Sequence, residues 1–550
     1  MVLIALAPYF TVKLPFGLGM RVQAGLILLL LATLCAIGRN RLWSWLAALP
    51  PAAKWALAAW VLSAIWGAAV GWRASNPSGY VVGQLVAMLL LPAGALAFGA
   101  QSCLTGSLVA RGLSVAAIGA VGVHVLAFAA QATPAQRQGE PLRLMLANDI
   151  GVSGMAPAAL LFVAAWWWAG PARRASVGLA ASLMLVAGSM SRGAWFVSLA
   201  GLAVLAVWVA RHSERVGVRE GVLATGVGAG LLVIFAALSG PGAVLWSLDT
   251  GRPDDGGSPG RDPTTTTILG RRALALPAGD ASEERLLVAH LRVRAPALEV
   301  TCLTLGPRNG GARLLVRGYD DSGKDVVRSD VGLGTGDTWT RTDRILLLPP
   351  AARSVSVALS TARGTWYVSE VAVRDVDSAV RAWLRTARGR LVGAGRLLGN
   401  PMGDANVLYR GEEATAVMER WRTASLARVL LGHGLGATYG FSNPSYDDRG
   451  ERVFLPTASY IHNFYLFLAF KLGVAGLVAL AGLAGLVFVT SAQAFQHARS
   501  PDRRWVAAAT AAVFGAYLVW GVTSPEIIDF RVAPLLGAMF AASQVSGGCG

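Results

Sequence analysis

Three short stretches of the 550-residue chain hold the residue types that phosphate binding and proton transfer require. In SMSRGAW, Arg192 falls between two apolar runs, where a guanidinium is costly unless it meets water or an anion. It either grips an anionic ligand there or snorkels to lipid headgroups. In ERWRTASLARVLLGHGLGATYG, Arg420 and Arg422 ride a helix that runs into a glycine turn at 432–436, with His433 inside it. Guanidinium groups fork onto phosphate oxygens, so arginines converging at a surface suit a diphosphate; a basic helix resting on anionic lipid is the plainer reading. In ASYIHNFYLFLAFKLGVAGL, His462 and Asn463 stand just ahead of a long apolar run. A neutral imidazole can take a proton from a hydroxyl near pH 7, which makes His462 the best general base among six histidines, with a hydrogen-bonded interfacial residue as the plainer alternative. His433 is its competitor.

Weaker candidates gather around these. Asn148 and Asp149 open one apolar run, Arg73 follows another, and Glu526, Asp529 and Arg531 begin the last. Each also reads as a helix cap or a local ion pair.

The elements that must position these residues are mostly apolar. The chain is 54% hydrophobic and 14% charged, with a mean hydropathy of +0.52, which excludes an ordinary water-soluble globule. Runs long enough to cross about 30 Å of hydrocarbon lie near 23–38, 55–71, 82–99, 109–130, 151–170, 174–190, 193–210, 221–247, 464–492, 503–523 and 527–545, which predicts eleven spans. Residues 1–16 make a twelfth span or a re-entrant piece, and they lack the pattern of a cleaved signal. The net charge of +17 does not indicate nucleic acid, because the basic residues sit in short loops between apolar runs. Alternate loops hold Arg39, Arg41, Lys54, Arg111, Arg173, Arg174, Arg211, Arg215, Arg219, Arg499, Arg503 and Arg504, which predicts that those loops are cytoplasmic. The long segment from 248 to 456 then lies on the other face. Cys35, Cys103, Cys302 and Cys549 show no metal or disulfide spacing.

That outer segment holds 28 basic and 24 acidic residues, a soluble composition. A linker at 248–267 leads into short alternating runs from 268 to 378, including LLVAHLRV, ARLLVRGY and SVSVALS, which predict an antiparallel β-sandwich. From 379 to 456 the pattern turns helical and amphipathic: VRAWLRTARGRLVGAGRLLG is Arg-rich, and EEATAVMERWRTASLARVLLG reads as one helix with acids in its first turn and bases in its last. The expected layout is therefore an all-α polytopic membrane protein, with a bundle at 1–247, further spans at 457–545 and an inserted sandwich.

SMSRGAW, then RW with a following GHGLG, then HNFYLFLAFKLGVAGL, in this order around a large late loop, resemble the O-antigen ligase and polymerase superfamily over residues 20–247 and 380–545. The resemblance implies a metal-independent, inverting glycosyltransferase of the bacterial inner membrane that needs no cofactor. Its donor would be an undecaprenyl-diphosphate-linked glycan, and its acceptor a glycan, a lipid A core or a protein hydroxyl. On that resemblance Arg192 holds the diphosphate, His462 deprotonates the acceptor, and Arg420 or Arg422 supplies a second clamp. The family's arginine lies a few residues ahead of the tryptophan, where this chain has Val417 and Met418, so Arg410 is a substitute. The run GTWYVSEVAVRDV resembles the last strand of jelly-roll carbohydrate-binding modules, in which aromatics meet sugar. Trp366 reads as core, Tyr367 as able to stack on a ring, and Trp339, in the turn-like GTGDTWTRTD, as exposed for the same purpose. Competing readings are a flippase or transporter of lipid-linked sugar and a membrane-anchored glycan-binding assembly protein.

Overall fold

The computed structural model describes residues 18–101, 106–129, 149–169, 173–189, 191–212, 244–249, 265–269, 271–276, 284–295, 297–307, 312–333, 336–349, 351–361, 365–376, 405–446, 452–498, 501–529 and 532–544. The expected span at 1–16, the Arg-rich helix at 379–398, Asn148 and Arg531 lie outside the described residues. The chain forms two compact units, one built from 1–124, 147–225 and 409–550, the other from 125–146 and 226–408.

The first unit is helical. Apolar runs form α1 (Leu18–Ile37), α3 (Pro51–Arg73), α4 (Ser78–Gly99), α5 (Gly106–Ala129), α6 (Asp149–Ala169), α7 (Arg173–Gly188) and α8 (Arg192–His212), with a short α2 (Arg39–Ala48) turning the corner after α1. Later come α9 (Ala405–Arg422), α10 (Leu426–Leu431), α11 (Phe464–His497), α12 (Pro501–Trp520) and α13 (Ala533–Gln544). Among the described residues α3, α4 and α11 are long and apolar enough to cross a membrane, and α1 with α2 makes a fourth candidate bent by 86°. Against the eleven expected spans, the described residues meet the length and composition of a span in three helices, or four with the bent pair. Over the residues whose side chains are described, the apolar stretches of α5 to α8 and α13 cover 10–17 residues, and α12 opens with Asp502, Arg503 and Arg504. The run at 221–247 is corrected at its end, where Val244–Asp249 is a strand.

Close backbone approach holds the bundle together. The buried Trp60 indole of α3 donates to the Met88 carbonyl of α4 at 2.8 Å. Gly94 of α4 and Gly537 of α13 meet the facing backbones of Pro534 and Leu91 with no room for a side chain, the small-residue packing that apolar helices use.

One loop is threaded between helices. The turn at 432–437, which follows α10, fits between α3 and α11. His433 N–H donates to Phe470 O (2.9 Å), Gly434 N–H to Lys471 O (3.0 Å) and Leu435 N–H to Gly67 O (2.8 Å). Two of these acceptors exist because α11 breaks at Gly473, whose φ of 69° interrupts the helical ladder and releases carbonyls one turn earlier. Gly434 sits at φ +87°, and a Cβ there would lie 2.6 Å from Gly71 Cα, so both its backbone conformation and its space admit only glycine. Lys471 is fully buried beside the break, its Nζ donating to the Ala437 carbonyl and lying 5.9 Å and 5.5 Å from the Phe467 and Phe470 ring centroids. After the turn, a hairpin of β11 (Tyr439–Tyr446) and β12 (Arg452–Ala458) leads into α11, where the sequence had predicted helix.

The second unit is the expected antiparallel β-sandwich. Its strands are β1 (Val244–Asp249), β2 (Thr265–Ile268), β3 (Arg271–Leu276), β4 (Glu284–Arg292), β5 (Ala297–Gly306), β6 (Ala312–Tyr319), β7 (Asp325–Gly332), β8 (Gly336–Leu347), β9 (Ser354–Thr361) and β10 (Trp366–Val376). One sheet runs β2-β3-β10-β5-β8 with β1 also paired to β10; the other runs β4-β9-β6-β7. The sandwich therefore starts at 244 rather than 268, because β1 and β2 come from stretches read as span and linker. Alternate residues fill its core: Leu298, Val300 and Cys302 of β5 and Trp366, Val368, Val371 and Val373 of β10 face Leu314, Val316, Val355, Val357 and Leu359. Cys302 lies in this core, and burial, aided by the charge of Glu370, pushes its thiol up to about 12. At pH 8 the native protein should therefore leave Cys302 unmodified by N-ethylmaleimide while denatured chains react, as peptide mass mapping can read. Trp366→Ala should cost about 3–5 kcal/mol of the sandwich's stability.

Candidate active site

The helical unit brings three of its elements together around His462. The residue lies in the link between β12 and α11, and Asn463 behind it caps α11 by accepting from Leu466 N–H at 3.0 Å. That commits the Asn463 side chain to the helix end. Facing the imidazole is Glu413, whose Oε1 and Oε2 are both 3.1 Å from His462 Nδ1. The same carboxylate accepts from His462 N–H at 3.0 Å and from the Tyr439 hydroxyl at 2.9 Å. The Glu413 side chain is 3% exposed and that of His462 28%. An ionised carboxylate can only accept, so Nδ1 carries the ring proton and Nε2 presents a lone pair.

Aromatic side chains fix the ring plane. Tyr409 and Tyr460 meet His462 edge-on, with centroids 5.7 Å and 4.9 Å away. Burial, with the charge of Glu413, raises the Tyr439 phenol and keeps it a donor. Tyr460 remains 47% exposed, yet desolvation of its hydroxyl and the charges of Glu526 and Asp529 raise it, while Arg410 and a hydrogen bond with Ser524 act the other way. Glu526 is buried, accepts from the Ser524 hydroxyl at 2.9 Å and abuts Gly154 of α6.

Helix phase sorts the arginines of α9. At 100° per residue, Arg420 falls seven positions after Glu413 and returns to nearly the same side, and Arg410, three positions before, stays within about 60°. Arg422, nine positions after, points to the opposite side, which corrects the expectation that it could share a clamp with the His462 site. Arg420 and Arg428 both act on His433 through their charge. Asp529 acts on Tyr460.

Arg192 opens α8 behind Ser191, whose Oγ accepts from Ala194 N–H at 3.3 Å. The Arg192 side chain lies outside the described residues, but its backbone can be followed. A Cβ on Gly193 would lie 2.9 Å from the Trp520 indole nitrogen, and Phe464 N–H donates to Gly521 O at 2.7 Å. The starts of α8 and α11 therefore flank the same end of α12, which brings Arg192 and His462 to one end of the bundle.

His433 proves to be a packing residue. It is 7% exposed, stacks on Phe470 at 4.6 Å, and its Nδ1 is buried with no hydrogen-bond partner among the described residues. In the sandwich, Trp366 is fully buried, as read. Trp339 is corrected from a turn to a place inside strand β8, half-buried, its indole nitrogen enclosed without an acceptor among the described residues. Thr340 pairs with Thr304 on the core side, so alternation turns Trp339 outward with Arg341, and Tyr367, opposite Leu305, shares that outer face.

Glu413, Tyr439 and Tyr460 escaped the sequence reading. The acids at 412 and 413 had been read as first-turn residues, but α9 starts at Ala405 and places them two turns in. An apolar phase shared by Glu413 and the buried Val417 is the signal that could have found the carboxylate.

No family model matches the chain, and no curated protein matches it. Among solved structures, the CBM22-1 xylan-binding domain of Paenibacillus barcinonensis Xyn10C is similar at 15% identity over 25% of this chain and 97% of its own, with a TM-score of 0.20. The carbohydrate-binding module CBM6cm-2 of Cellvibrio mixtus lichenase 5A, solved with cellotriose, is similar at 16% identity over 24% and 98%, with a TM-score of 0.18.

Burial, reinforced by Arg428, lowers the proton affinity of His433, so the folded chain resists a proton that the unfolded chain accepts below about pH 6.5. Stability should be highest above that pH and fall as the solution is acidified through it. His433→Phe keeps an aromatic against Phe470 and removes the titration. It should flatten the fall in melting temperature between pH 7 and pH 5, and an equally steep fall in the variant would show that other groups cause it.

Proposed function

We propose that the chain is a polytopic enzyme of the bacterial inner membrane that transfers a glycan from an undecaprenyl-diphosphate carrier to an acceptor hydroxyl, in the manner of O-antigen ligases and polymerases. The observation that carries this reading is the Glu413–His462 pair: a buried carboxylate holding Nδ1 with both oxygens, on an imidazole that is itself 28% exposed. This is the base-and-orienter arrangement that hydroxyl activation needs.

The chemistry follows from those roles. The acceptor hydroxyl gives its proton to His462 Nε2 as its oxygen attacks the anomeric carbon from the face opposite the diphosphate. The carbon–oxygen bond to the carrier breaks with its electron pair moving to the phosphate oxygen, so configuration inverts. Arginine side chains offset the charge that develops on the leaving group. Arg192 at the same bundle end is assigned this role, with Arg410 and Arg420 on the Glu413 side of α9. The sandwich is assigned to glycan binding, through Trp339 and Tyr367 on one outer face.

A transporter or flippase of lipid-linked sugar is the second reading, favoured by the buried Lys471 beside the break in α11. Lys471 lies about 10 Å from the start of α11, short of a midplane site, and the freed carbonyls are filled by the 432–437 loop. These features favour a structural plug.

Purified protein should transfer glycan from undecaprenyl-diphosphate donor to acceptor in excess chelator. His462→Ala and Glu413→Gln should each lower turnover by about 10²–10⁴-fold, the glutamine because its amide can donate to Nδ1 and reverse the tautomer. Arg192→Lys should lose most activity, since a point charge cannot reproduce the planar fork. Full turnover in folded His462→Ala and Glu413→Gln would discard the assignment, and donor flipping in proteoliposomes without transfer would favour the transporter. Trp339→Ala with Tyr367→Ala should weaken glycan binding without changing the rate on a short acceptor.

A further inference from the structure

We infer that α2 and the start of α3 form a seat for anionic phospholipid headgroups, an inference that rests on the reading of α1 and α3 as membrane spans. The bend of 86° between α1 and α2 is the first observation. A helix perpendicular to a span lies in the plane of the bilayer, where the span leaves it.

One side of this helix is tied to the bundle. Trp45 is buried against Gly99 of α4, Leu49 is buried beside it, and Gly38 at the corner packs on Ala100. Gln101 Nε2 donates to Leu34 O at 3.1 Å, and Lys54 Nζ closes the end of α2 by donating to Ala47 O at 2.9 Å. The corner is therefore held in place.

The other side carries what a headgroup layer selects. Trp43 is 66% exposed, Trp55 74% and Ile37 76%. Arg39 and Arg41 stand among them, exposed. No acidic residue occurs in the chain before Glu140, so every fixed side-chain charge of this stretch of sequence is positive. Indole rings next to arginines on a helix lying flat at the end of a span match the boundary between acyl chains and phosphates, and the sign of the charge selects anionic lipids.

The test uses the full chain with Cys35, Cys103 and Cys549 changed to serine, the buried Cys302 being kept. A fluorescent label at Trp43→Cys or Leu62→Cys is read in vesicles of phosphatidylcholine and phosphatidylglycerol carrying shallow or deep quenchers. Position 43 should be quenched by the shallow probe, and position 62, exposed in the middle of α3, by the deep one. Separately, Arg39→Gln with Arg41→Gln should lower the ratio of retained phosphatidylglycerol to phosphatidylcholine about 5-fold per arginine, equivalent to about 1 kcal/mol each. Deep quenching at 62 with no quenching at 43, or an unchanged lipid ratio in the folded double variant, overturns the inference alone. Absence of deep quenching at 62 overturns the span reading as well.

Discussion

The helical unit depends on a constraint of space rather than on a strong bond. Between α3 and α11 there is room for one strand of backbone, and the loop at 432–437 takes it only because glycines stand on both sides of the approach, Gly71 against Gly434 and Gly473 beside Gly432. The loop's amides then satisfy carbonyls that the broken α11 releases. A break in a buried apolar helix is tolerable only when other groups fill the vacated hydrogen bonds, and here a distant segment does so.

The position of Glu413 follows from that threading. The loop anchors the end of α10, α10 follows α9 after three residues, and α9 carries the carboxylate to His462. From the other direction Tyr439, the first residue after the loop region to pair in the hairpin, reaches the same carboxylate. The acid thus joins two segments that leave the threaded loop in opposite directions along the chain. Its burial makes an isolated charge there costly, and the His462 ring, its backbone amide and the Tyr439 hydroxyl together meet its acceptor capacity.

Much of this was legible in the sequence. Hydropathy located α1, α3 to α8 and α11 to within a few residues, because apolar runs speak through composition alone. Alternation found the sandwich, and the volume of Trp366 in a strand fitted a core. What stayed hidden depended on partners far away in sequence. Glu413 looked like a helix-dipole residue because the preceding turns, NVLYRG, carry no start signal. The β11–β12 hairpin was missed because its pairing is fixed by the loop before it and the helix after it. The strand Val244–Asp249 was read as the end of a span, since VLWSL is as apolar as a membrane segment and only its neighbour β10 makes it a strand.

That last pairing has an architectural consequence. Val244 stands opposite Arg374, so the strand that brings the polypeptide into the sandwich and the strand that takes it out run side by side. A module whose two ends emerge together can be spliced into a host chain at a single point, as a bracelet clasp joins a chain without lengthening it. Such a joint lets the sandwich be exchanged or removed as one unit while the helical framework keeps its chain path.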